Sequence, residues 1–200
     1  MNIARTRNII AMVVLLCSTA GCSSTRIASE SKSPDLGAAK YKRVLVVGAS
    51  PDRGIRQLFE EEFAKALQAR GVTGIPSYQQ LPDAKPTRDA VERLAKSVNA
   101  DAVLVSRLVE RRSETQLDPG VASVPANISG YYDDAWKSSY EPPSSYTVTV
   151  VRIETRLFDA ASGKLAWTAE ADTFDPRDRE KEVRNLSNVL TKAISKQNLI

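Results

Sequence analysis

Histidine is absent from the 200-residue chain, and cysteine occurs only twice. Without histidine there is no Ser-His-Asp or Cys-His nucleophile and no histidine-ligated zinc. Cys17 and Cys22 both lie near the amino terminus, so the rest of the chain must fold without disulfides. Long apolar runs are lacking too. The run Ile9–Leu16 is much shorter than the roughly 20 residues a membrane-spanning helix needs. Neither sign of charge dominates, with 28 basic against 24 acidic residues. There is no Lys/Arg stripe and no nucleic-acid-reading motif, so no nucleic-acid partner is expected.

The amino terminus has a recognisable layout. Arg5 and Arg7 precede the apolar run, and small residues follow in "CSTAGC". This is the plan of a secretory signal. "TAGC", Thr19–Cys22, resembles the lipobox of bacterial lipoproteins, with Thr19 where that family usually carries leucine. The resemblance implies cleavage after residue 21 and lipidation of Cys22 through its thiol. Ser23, not aspartate, follows the cysteine. In such lipoproteins this implies the outer membrane, facing the periplasm. Loss of Arg5 and Arg7 would leave 26 basic residues against 24 acidic ones. Residues 22–40 are rich in serine, alanine and charge and read as a flexible tether. Residues 41–200 read as one domain.

The domain begins with "RVLVVGA", a β-branched run typical of a strand buried on both faces. A helix follows, with Ser50 as its cap and Pro51 at its first position. Ile55, Leu58, Phe59, Phe63, Ala66 and Leu67 form its apolar face, and Gly71 stops it. "VTGIPSY" reads as a strand. Thr87 opens a second helix with Ala90, Val91, Leu94, Ala95 and Val98 inward, and "ADAVLVSRLVE" is a third strand. This β-α-β-α-β order predicts parallel pairing. "SYTVTVVRIETRLFD" and "KLAWTAEADT" alternate like an antiparallel hairpin around a turn at Gly163. The adjacent Val150 and Val151 suggest a bulge. Leu165, Trp167, Ala169 and Ala171 share one face of the second strand. A final helix, capped by Asp175, places Val183, Leu186, Leu190, Ala193 and Ile194 inward. The fold class is α/β, a single mixed sheet with helices packed on it.

"VVGASPDRGI" invites comparison with a dinucleotide-binding loop. Gly48 and Gly54 are too far apart for that site, Arg56 stands where its last glycine belongs, and no Tyr-x-x-x-Lys pair exists. The loop therefore reads as a turn, and no cofactor, metal site or catalytic residue is expected. Glu60–Glu62 read as a solvated helix face. Asp133 and Asp134 lack the fixed geometry of an acid-base pair. Ser113–Ser145 reads as a long loop, with four prolines and four of the twelve aromatics: Tyr131, Tyr132, Trp136 and Tyr140. Aromatics of this kind anchor interfaces at low entropic cost. They are the expected contact with a protein partner.

"KRVLVVGAS", "LFEEEFAKALQARGV", "PSYQQLP", "NADAVLV" and "FDAASGKLAWTAEADT" together resemble small periplasm-facing bacterial lipoproteins. These are broadly similar to the amino-terminal domain of TolB and to the α/β domains of CsgG and LpoB. The resemblance covers about residues 41–200. It implies a non-enzymatic outer-membrane lipoprotein that binds an envelope protein. The alternative is an accessory, self-associating subunit of an envelope transport or secretion assembly. The prolines of 113–145 argue against the long membrane hairpins of CsgG-like channels.

Overall fold

A computed structural model describes residues 25–34, 40–82, 85–117, 127–140, 145–174, 176 and 178–200. The buried run is strand β2, Arg43–Ala49, preceded by β1, Thr25–Lys32. Helix α1, Arg53–Gln68, leads to β3, Thr73–Pro76, and a 3-10 turn at Ser77–Gln79. Helix α2 spans Arg88–Ser97 and strand β4 Ala102–Leu117. Helix α3, Ile128–Tyr140, precedes the hairpin β5, Ser145–Asp159, and β6, Leu165–Phe174. Helix α4, Arg179–Lys196, follows. One mixed sheet has the order β1-β6-β5-β4-β2-β3, with β2 parallel to β3 and β4 and the other pairs antiparallel.

Val44 to Val47 are all buried, as the apolar run requires, and they alternate between two cores. Val44 and Val46 face α1 and α4 and pack with Phe59, Phe63, Leu67, Leu190 and Ile194. Leu45 and Val47 face α2, against Leu94 and Ala95. Trp167 is fully buried on the α1/α4 side, with Ala169 and Ala171. Leu165 does not join them. The pairing shifts between Leu157↔Trp167 and Phe158↔Leu165, which turns Leu165 outward.

Several boundaries differ from the sequence reading. Asp52, not Ser50, caps α1 by accepting the Ile55 N–H, and Pro51 lies outside the helix. Asp178, not Asp175, caps α4 by accepting from Lys181. Thr87 does cap α2. Gly71 and Gly163 take the positive φ that their turns need. Bulges lie instead in β4, where the register skips Val109 between Leu108 and Glu110, and in β1, where it skips Ala28. Val150 and Val151 pair continuously and face opposite sides.

Two larger corrections concern 22–40 and 113–145. Residues 25–32 of the expected tether form β1, which pairs along β6 from Thr25↔Thr173 to Lys32↔Trp167. An edge strand is held by backbone hydrogen bonds, so it needs few apolar side chains. Thr25 and Thr173 also share a hydroxyl bond of 2.9 Å, and Lys32 Nζ donates to the Gln197 carbonyl at 2.9 Å. The expected long loop is short of loop at both ends and in the middle. β4 runs on to Leu117, paired with Ser145, and 128–140 are helical. Its prolines, at 119, 125, 142 and 143, fall outside these elements.

Candidate interaction surfaces

The strand-to-helix turn after β2 is closed by a carboxylate. Glu60 is fully buried, and its Oε1 accepts the Gly48 N–H, the Arg56 Nε–H and the Ser77 hydroxyl, each at 2.9 Å. Its Oε2 accepts the Tyr78 N–H at 2.7 Å. A nucleotide phosphate would need the free N–H groups of such a turn. Here the Gly48 N–H is already committed to Glu60. A Cβ at Gly48 would lie 3.3 Å from Phe59 Cδ1, so this glycine admits the helix, and the loop is a turn.

Glu60–Glu62 are therefore not a solvated face. Glu62 is buried as well and pairs with Lys65 at 2.6 Å and with Arg184 of α4 at 3.0 Å. Burial works to raise the Glu62 carboxyl, but these two cations outweigh it and hold it below the usual range. The spacing of Arg56 and Glu60, one helical turn apart, was the available signal.

The two faces of the sheet are covered unequally. On the face opposite α1 and α4, α2 packs on β2 with β3 alongside. The outer strands there carry a ladder of charge. Arg107 and Arg156 both hold Glu154. Arg152 grips Asp172 with two bonds of 2.7 and 2.9 Å, and Arg112 reaches Glu110, Glu114 and Asp172. Arg26 lies 4.6 Å over the Phe174 ring. Asp172 is 1% exposed. Its bonds to Arg152 keep its carboxyl low despite burial. For Glu154 burial pulls upward, and the bonds to Arg107 and Arg156 prevail.

Between α2 and this ladder runs a groove of 1310 Å³. Val91 and Ala95 form one wall, Val103, Val105 and Phe158 the floor, and the 159–163 turn the far end. A smaller cleft of 560 Å³ lies on the other face, where Ile55 and Leu58 of α1 meet Leu108, Ile153 and Val183. Among the described residues no group of three potential metal ligands comes together.

The sequence-predicted aromatics stand on α3, whose first turn is closed by Asn127 Oδ1 accepting the Gly130 N–H at 2.8 Å. Ile128, Tyr131, Tyr132 and Trp136 share one helical face and are 85%, 66%, 60% and 49% exposed. Tyr132 and Trp136 meet edge to face with centroids 6.0 Å apart. Tyr140 ends the helix, and its side chain lies outside the described residues, as does Cys22. Asp133 is exposed on α3.

No known protein-family model matches the chain. No curated protein matches it either. Its structure is similar to a PelC dodecamer from Paraburkholderia phytofirmans, at 18% identity over 84% of this chain and 96% of that one, TM-score 0.47. It is also similar to lipoprotein GNA1162 from Neisseria meningitidis, at 19% identity over 78% and 96%, TM-score 0.40. A third similar structure is the hypothetical protein CT253 from Chlamydia trachomatis, at 12% identity over 80% and 92%, TM-score 0.35.

Proposed function

We propose that this chain is a non-enzymatic lipoprotein of the bacterial envelope, anchored in the outer membrane through Cys22, that binds a protein partner with its periplasm-facing body. The lipobox-like "TAGC" supports the anchor. The groove beside α2 carries the binding reading, because an apolar floor is left open next to a single covering helix. Its shape suits an amphipathic helix laid alongside α2. The rim gives that helix its charge. Lys85 and Lys96 stand on it, while Arg88 is paired there with Glu92 at 3.2 Å. The acids Asp101 and Asp159 are already taken by the N–H groups of Lys42, Arg43 and Ser162. The incoming helix should therefore carry acidic flanks.

Two measurements test this reading. Fatty-acid labelling in cells should mark the wild type and fail on Cys22→Ser; equal label on both would remove the anchor. A photoreactive side chain at Ala161, at the exposed end of the groove, should trap one heterologous envelope protein, and Lys96→Glu should weaken the trapping. A trapped dimer of the chain itself would favour the second reading, a self-associating subunit of a transport or secretion assembly. That reading has an observation of its own, since β1 is an outer strand of eight residues. Trapping of neither kind would end the partner reading.

A further inference from the structure

We infer that α3 lies in the interfacial layer of the membrane that Cys22 enters, with Ile128, Tyr131, Tyr132 and Trp136 turned toward the lipid. The inference rests on the Cys22 anchor of the preceding section and adds a second point of attachment.

The sheet register supplies the first argument. Thr25 opens β1 and pairs with Thr173, which pairs in turn with Val151. Only Ser23 and Ser24 separate Cys22 from Thr25, a reach of about 10 Å over three fully extended steps. The anchor therefore holds this end of the sheet close to the lipid surface. The β4–β5 ribbon continues past that level, from Val151 to Ser145, the partner of Leu117. Those six residue steps span about 20 Å at the usual rise of a strand. The ribbon tip thus extends roughly 10 Å beyond the reach of the anchor, the depth at which amphipathic helices settle among headgroups and upper acyl chains.

The second argument is the helix itself. α3 is joined to the ribbon tip, and four residues link Tyr140 to Ser145. Its exposed apolar stripe is made of Tyr, Trp and Ile. Tyr and Trp are the side chains that concentrate at membrane-water boundaries, where an apolar ring and a polar tip are both satisfied. Helical spacing puts Asp133 away from that stripe. The aromatic face and the lipidated cysteine thus lie at one end of the molecule, and the groove beside α2 is left to the periplasm.

Trp136 and Trp167 are the chain's two tryptophans. Trp167 is fully buried and Trp136 is 49% exposed, so they report separately. The mature, lipidated protein would be reconstituted into vesicles of phosphatidylethanolamine and phosphatidylglycerol with bromines on the upper acyl chain. The expected result is loss of most Trp136 emission and a shift of that emission to shorter wavelength. The emission left in Trp136→Phe, which comes from Trp167, should be unquenched. Ile128→Asp should restore much of the emission while the protein still floats with the vesicles. Flotation with Trp136 unquenched would overturn the seating of α3 alone and leave its stripe for a protein. Failure to float would overturn the anchor, and the inference with it.

Discussion

Glu60 accepts four hydrogen bonds inside the fold, from β2, α1 and the 3-10 turn. Arg56 is 2% exposed beside it and also donates to the Ser77 hydroxyl at 2.9 Å. Removing one member of such a pair leaves the other charged and buried. Glu60→Ala should therefore lower stability by about 3–5 kcal/mol, read from a urea unfolding midpoint. Glu60→Gln should fall between it and wild type, because an acceptor oxygen remains. A Glu60→Ala midpoint near wild type would mean that Arg56 finds another acceptor. Half of this arrangement was legible in the sequence. The spacing of Arg56 and Glu60 marks an intrahelical pair, but Ser77 and Gly48 meet Glu60 only through the crossover, and that contact decides burial. Trp167 was fully legible, because strand alternation alone places it inward.

At the scale of elements, the approach of α1 to β3 depends on Gly74. A Cβ there would lie 2.5 Å from Ala64 Cα and 2.9 Å from its Cβ. Gly74→Ala must push helix and strand apart. Overpacking of this kind costs about 1–3 kcal/mol, and a domain of this size loses roughly 2–4 °C of melting temperature per kcal/mol. Trimming the neighbour with Ala64→Gly should not restore the loss, because the backbone atom is the nearer obstacle. An unchanged melting temperature for Gly74→Ala would show that β3 can shift without consequence.

The β-α-β-α-β core, the hairpin and α4 follow from periodicity, which reports packing faces directly. β1 did not, because its stability comes from β6 and its own residues are mostly polar. α3 was hidden by prolines. Those prolines bracket residues 126–140 and leave the span itself free of proline. Asn127 then caps the helix, its Oδ1 accepting the Gly130 N–H.

Across the whole molecule, the titration of carboxylates held by arginine should govern acid stability. Asp172, Glu154 and Glu62, each held by arginine, and Asp159, held by the Ser162 hydroxyl and N–H, all ionise more readily in the fold than they ordinarily do. Their unfolded values lie near about 4. Depressed carboxylates contribute stability above the unfolded value, and that contribution disappears as pH falls through the folded value. With no histidine in the chain, no imidazole titrates between pH 5 and 7. The unfolding midpoint should stay level from about pH 8 to pH 5 and drop below about pH 4. Added salt should lower it further there, because several ladder arginines remain partly in water. A decline beginning near pH 6 would mean that a different group sets the acid limit.

β1 and β6 come from opposite ends of the sequence, and the bond between Thr25 and Thr173 spans 148 positions. During synthesis the first strand is made long before β6, its neighbour in the sheet, exists. It must wait, unpaired, while every other strand is laid down. Closure of such a distant contact is slow, so the sheet is completed only when its last-made strand returns to its first.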